Sequence, residues 1–271
     1  MKFPGIILIA LFTLAGCKGI NSVLKNPDPK YKLRMAEQYF VKKKWIYAQQ
    51  LYEDVMPFYR GQPEFEDIYY KYAYTAYYQR DYLNAENLFK TYLEIYPNSS
   101  KAEEVDYMRA YTFYRQSPKP ELDQTNTQKA IGMMQIFLNK YPGSARAAEA
   151  NAIIDGLRQK LEIKDANAAQ LYFDLGQFRA AAVAFNTLIE NYPDSQRAEE
   201  YKLKSIRAYF QFAELSIEDK KAERYGKVIE ECQDFIDRFP ESGMKKEVEQ
   251  FLTQSQNNLK QYTNEPAKTS A

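Results

Sequence analysis

The residues of this chain that could do chemistry are few in kind. None of the 271 residues is histidine. That removes Ser-His-Asp and Cys-His catalysis, histidine-ligated zinc and haem, and the commonest general base. Only 10 glycines are present, and no glycine-rich loop that could cradle phosphate appears among them. Carboxylates come in adjacent pairs at Glu103-Glu104, Glu199-Glu200 and Glu230-Glu231. Neighbours in sequence lie about 100° apart around a helix axis, so no pair can flank one bond, and solvated helix faces are the expected role. No catalytic residue, metal or cofactor is expected. Lys and Arg total 37 against 36 for Asp and Glu. A formal charge of +1 lacks the concentrated basic face of a nucleic-acid binder.

Two cysteines remain, Cys17 and Cys232. Lys2 and an apolar run from Gly5 to Ala15 precede the first, and the run is too short to span a bilayer as a helix. Leu14-Ala15-Gly16-Cys17 resembles the lipobox of bacterial lipoproteins. The resemblance implies a signal peptide over 1–16, cleavage after Gly16, and lipid attachment at Cys17 with acylation of the new amino terminus, palmitate being the usual chain. Two or three acyl chains hold a protein on a membrane, whereas one holds it marginally. Lys18 would become the second mature residue. In the familiar enterobacterial sorting rule Asp at that place retains a lipoprotein in the inner membrane, so the outer membrane, at its periplasmic face, is implied. Residues 17–30 carry Gly19, Asn21, Ser22, Pro27 and Pro29 and read as a flexible tether. With Cys17 lipidated no intramolecular disulfide can form, and Cys232 reads as a small core side chain.

The elements behind these residues show themselves as a repeat. Tyr96-Pro97-Asn98-Ser99, Tyr141-Pro142-Gly143-Ser144, Tyr192-Pro193-Asp194-Ser195 and Phe239-Pro240-Glu241-Ser242 end four similar segments. Eleven residues before each aromatic stand Ala85, Ala130, Ala181 and Val228. Four and seven residues after these anchors come Phe89 and Tyr92, Met134 and Phe137, Phe185 and Leu188, Cys232 and Phe235. The same ruler laid on Ala48 finds Tyr52, Val55 and Tyr59. Spacings of 0, +4, +7 and +11 share one helical face, so each copy predicts an amphipathic helix ended by Pro, with Ser as N-cap of the next. A partner helix precedes each, marked by small residues at the crossing: Ala36, Ala73, Ala110, Ala169 and Ala208. In copies three and five this residue lies eight positions further from its anchor, so both carry an insertion between their helices.

Small residue, gap, alanine, aromatic and proline in this order resemble the tetratricopeptide repeat. The implied fold class is all-α, a right-handed solenoid of five stretched tetratricopeptide-like helical hairpins. Its concave face would present Tyr70, Tyr74, Tyr78, Tyr107 and Tyr111, a candidate client-binding groove, with about half of these rings expected to fill the core instead. The expected organisation is 31–145 for repeats one to three, 146–262 for repeats four and five, and a disordered tail at 263–271.

The lipobox, the repeats and the two insertions together resemble the BamD family, lipoproteins of the outer-membrane β-barrel assembly machinery. Val105-Asp106-Tyr107-Met108-Arg109-Ala110 and the polar loop Leu122-Asp123-Gln124-Thr125-Asn126-Thr127 add local likeness. The family's loop often holds a further basic residue near this Asp, and none lies between Lys119 and Lys129 here. The resemblance implies a non-enzymatic scaffold. Repeats one to three would recognise unfolded outer-membrane barrel proteins, and repeats four and five would dock the barrel-forming core subunit. The alternative is another envelope repeat adaptor, such as a Tol- and division-linked coordinator. That family usually bears an upstream coiled coil, and no sustained heptad precedes Tyr31. Helical nutrient-binding lipoproteins are typically much larger.

Overall fold

The computed structural model describes residues 15–264, with side chains from 19 to 262. The expected signal peptide therefore lies almost wholly outside the described residues, as do the Cys17 side chain and residues 265–271. Helices and short turns account for the described residues, and no helix among them is long and apolar enough to cross a membrane.

Every copy of the apolar ruler falls on one helix: α3 (Trp45–Tyr59), α5 (Tyr82–Ile95), α7 (Thr125–Lys140), α9 (Phe178–Asn191) and α11 (Glu218–Arg238). The 0, +4 and +7 residues of all five are buried; the closing aromatic is buried in the first copy, Tyr59, and lies at the core's edge in the other four. The preceding helices are α2 (Pro29–Val41), α4 (Glu64–Tyr78), α6 (Ala102–Gln116), α8 (Ala147–Asp174) and α10 (Ala198–Glu214). Ala36, Ala73, Ala110, Ala169 and Ala208 on them are fully buried, as close helix crossings require. Fully burying one ring such as Phe89 or Phe185 contributes roughly 1.5–3 kcal/mol, so the periodic face dominates stability.

Local chemistry fixes the ends. Asp28 accepts the Lys30 N–H at 2.9 Å and Pro29 occupies the first turn of α2. Each Tyr/Phe-Pro-x-Ser segment makes the same two turns, as in Ser99 N–H to Tyr96 C=O at 3.2 Å and Ala102 N–H to Ser99 C=O at 3.0 Å. The serine is thus not the N-cap of the next helix, as expected, but sits one turn ahead of it. Its Oγ accepts the N–H two residues on in all four copies.

The chain divides into two compact units between Leu157 and Arg158. The division falls inside α8 rather than at 145/146. The first half of α8 buries Ala150, Ile153, Ile154 and Leu157 in the core of unit 1, and Ala166 and Ala169 belong to the core of unit 2. With Gly156 the sole breaker and no proline between Ala147 and Asp174, nothing stops the helix.

Three further segments differ from expectation. Where a flexible tether is expected over 17–30, helix α1 (Ala15–Leu24) packs on α2 and α3 and buries Ile20 and Val23. Two apolar residues at i and i+3 outweigh the glycine before them and the polar residues between them. The insertion in copy three is a loop, 117–124, but in copy five it lengthens α10 and α11 and leaves a three-residue turn. A last helix, α12 (Lys245–Asn264), packs on α11 and takes in Thr263 and Asn264 of the expected tail, with Val248 fully buried.

Candidate functional site

α4 places Tyr70, Tyr74 and Tyr78 on one face at i, i+4 and i+8, with ring centroids 4.8 Å and 5.8 Å apart in succession. α6 places Tyr107 and Tyr111 likewise, stacked at 5.7 Å. The two sets are joined by Tyr77, which lies 6.3 Å from Tyr74 and 6.4 Å from Tyr111. Sequence reasoning missed Tyr77, because the face was read along one helical stripe and Tyr77 sits beside it. It also missed Trp45, the single tryptophan, which stacks on Tyr78 at 4.3 Å from the start of α3.

The five candidate rings are not equivalent. Tyr74 and Tyr107 are core residues, 6% and 2% exposed. The Tyr74 hydroxyl donates to Glu104 Oε1 at 2.7 Å. Burial raises both phenols well above their ordinary value, aided by Glu104 for Tyr74 and Glu149 for Tyr107. Tyr70 is half-buried, pushed up to about 12 by burial, and has the Lys101 ammonium 4.7 Å from its ring centroid. Tyr111 is half-buried, and Tyr78 is 44% exposed. The surface a ligand could touch is therefore Tyr78, Tyr77, Tyr111 and the edge of Tyr70, on a floor of Tyr74 and Tyr107. Arg115 stands over Tyr82 at 5.3 Å beside it. Such a row offers flat apolar area with polar edges, suited to an extended segment with alternating apolar side chains.

Unit 2 has a separate candidate. Cavities of about 520 and 650 Å³ adjoin there and share Arg179, Val183 and Phe212, with Tyr172 and Phe178 completing the apolar wall. Leu175, Leu215 and Ile217 stand exposed in the turns of the same hairpins. Arg179 has no carboxylate partner among the described residues. The sequence signal for this site was weak, since its residues sit off the repeat ruler.

The solvated-face expectation holds for Glu230 and needs correcting for the other five carboxylates, which have structural partners. Glu103 and Glu199 accept the hydroxyls of Ser144 and Ser242 at 2.6 Å each, Glu104 takes Tyr74, and Glu200 pairs with Arg197 and Lys204. Glu231 is buried between Lys202 at 2.6 Å and Lys227 at 2.9 Å, while Glu230 pairs with Lys227 on the surface. Among the described residues no group of His, Cys, Asp or Glu could hold a metal ion. Cys232 is buried and unbridged, its thiol pushed up to about 12 by burial, so it is a core residue as expected.

Tandem helical hairpins that bring aromatic side chains to the surface belong to the class of repeat arrays, an architecture suited to binding other proteins. A family model described as YfiO, outer membrane lipoprotein, matches residues 27–224. The chain belongs to this family of outer membrane lipoproteins, which is the BamD family that the sequence resembles. Comparison with curated proteins gives no match. Among solved structures, the TPR2AB domain of yeast Sti1 in complex with pHSP90 is similar at 12% identity, covering 84% of this chain and 98% of that one, with a TM-score of 0.42. Yeast histone chaperone Hif1 is similar at 12% identity over 88% and 95% of the two chains, with a TM-score of 0.28. The human IFIT1 dimer with PPP-AAAA gives 13% identity over 87% and 60%, at 0.28. Nothing further rests on likenesses this remote.

Proposed function

We propose that this protein is a non-enzymatic scaffold of outer-membrane β-barrel assembly, held at the periplasmic face by lipid on Cys17. Unit 1 engages unfolded barrel proteins through the aromatic row on α4 and α6, and unit 2 docks the barrel-forming core subunit. Family membership over residues 27–224 carries the general role in outer-membrane assembly. The row of exposed Tyr78 and half-buried Tyr77 and Tyr111 supports client binding, because a barrel strand alternates apolar side chains that such rings can receive. The apolar wall of Tyr172, Phe178, Val183 and Phe212 supports docking in unit 2.

Affinity purification from native membranes with mass spectrometry tests this reading. Recovery of a barrel-forming subunit together with barrel clients is expected. Recovery of Tol components in their place would overturn it. Replacing Cys17 with Ser is expected to leave an unprocessed or soluble periplasmic species, and wild-type recovery in the outer-membrane fraction without a partner's help would remove the lipid anchor from the scheme.

A further inference from the structure

The turn between α2 and α3 presents Lys42, Lys43 and Lys44 in succession, all exposed. None has a carboxylate partner among the described residues, and Lys44 lies only against the Tyr39 ring, 5.9 Å from its centroid. Val41 and Ile46 flank the three lysines and are 78% and 58% exposed. Exposed apolar side chains thus stand directly beside unpaired cations, so that one patch offers both kinds of contact.

The backbone strengthens the point. Lys43 has φ +57° and Arg80, in the α4–α5 turn, φ +64°. Gly176 holds the same place in unit 2 with φ +72°, each of the three lying seven residues after a crossing alanine. All three make one pattern of bonds, as in Lys43 N–H to Phe40 C=O at 2.9 Å and Lys44 N–H to Tyr39 C=O at 2.8 Å. Glycine adopts this conformation freely, whereas a side chain is strained in it. Two of the three turns nevertheless keep a cation there.

These two turns are neighbours, because Trp45 of the first stacks on Tyr78 just before the second. Leu83 follows Arg80 and is 67% exposed, and the acidic residue of that turn, Asp81, is engaged as N-cap of α5. The first turn also lies beside α1. The Tyr39 hydroxyl stands 4.0 Å from where a Cβ on Gly19 would be, and Gly19 is two residues after Cys17.

We propose that the α2–α3 and α4–α5 turns form a contact surface for an anionic phospholipid bilayer. Lys42, Lys43, Lys44 and Arg80 meet the headgroups, while Val41 and Ile46 enter the interface. Charge complementarity, exposed apolar groups and the position next to the attachment residue select this occupant. The proposal extends the reading of Cys17 as lipid site, and its test leaves the acyl chain out so that the two can fail separately.

The chain from residue 17 onward, carrying Cys17→Ser, is mixed with vesicles of phosphatidylethanolamine and phosphatidylglycerol, or of phosphatidylcholine alone. Flotation gives affinity. Quenching of Trp45, the sole tryptophan, by brominated acyl chains reports whether this turn touches lipid. Binding and quenching are expected with the anionic vesicles, fading as salt shortens the screening length. Combining Lys42→Gln, Lys43→Gly and Lys44→Gln should weaken binding on the order of a hundredfold, with the helical circular dichroism unchanged. Val41→Ser with Ile46→Ser should reduce quenching at similar helicity. Equal affinity of the lysine variant and its parent, equal binding to phosphatidylcholine, or no vesicle binding at all would overturn the assignment. Binding of polyglutamate in place of vesicles would do so too, and would make the turns a protein contact.

Discussion

Cys232 shows how far a single side chain could be read in advance. Its place at +4 of the ruler, where other copies hold Tyr, Phe or Met, identified a core role, and the buried thiol has that role. Cys232→Ala should lower stability by at most about 2 kcal/mol and leave partner binding intact, measured by urea unfolding and co-purification. Native protein should also react with a thiol reagent only as fast as it unfolds. The tyrosines were legible as a cluster but not ring by ring: all five lie on the expected helices, yet Tyr74 and Tyr107 point into the core. Spacing along one helix cannot tell which side a neighbouring helix will cover. Acid carboxyls carry a second prediction at this scale. Burial opposes charge on Glu231, but Lys202, Lys227 and Asn186 hold its carboxyl below the usual value. The Ser99 and Tyr92 hydroxyls do the same for Glu66, and Arg197 with Lys204 takes Glu200 down to about 2. These groups bind protons less readily folded than unfolded. Their stabilisation is complete above the ordinary glutamate value near 4.5 and is lost as pH falls through their lowered values, about 2 for Glu200. Urea midpoints should therefore drop steadily below about pH 4.5, and a flat profile there would refute the role given to these pairs.

At the scale of elements, the turn serines recur with a partner the sequence reading passed over. Glu66, Glu103, Glu162 and Glu199 accept the hydroxyls of Ser99, Ser144, Ser195 and Ser242 at 2.5–2.6 Å. The first three of these glutamates lie seven residues before Ala73, Ala110 and Ala169, a spacing visible in the sequence. Ser195→Ala removes a hydroxyl that bonds both Glu162 and the Arg197 N–H, and should cost about 1–2 kcal/mol. Denaturant unfolding of Ser195→Ala against an exposed serine control would measure it. Glu162 also marks where the fourth hairpin begins inside α8, which turn signals could not show because no turn is there. α1 was missed for a related reason. It depends on Ile20 and Val23, which find a neighbour only once the array is folded.

For the whole molecule, the two units predict separable losses. Tyr78→Ala with Tyr111→Ala should weaken binding of a barrel protein's C-terminal peptide by on the order of 1 kcal/mol or more per ring, leaving recovery of the core subunit intact. Arg179→Glu with Val183→Asp should do the reverse, since both positions are exposed in unit 2. Peptide titration and co-purification, run on both variants, decide between this division and a shared surface, on which each variant would lose both activities.

The serine–glutamate bond has a consequence for length. It joins the start of one helix, or in α8 its middle, to the turn after its partner across separations of 33, 41, 33 and 43 residues, closing four of the five hairpins at the same place. What lies between the two helices is free to grow, as a loop in one hairpin and as added helical turns in another, without moving the next hairpin's point of departure. Extra residues there meet only the slow logarithmic rise of loop entropy, about 0.6 kcal/mol per doubling. The far end of each hairpin is thus where this architecture can accept new sequence, and a tag or epitope intended to leave the array undisturbed belongs in the loop at 117–124.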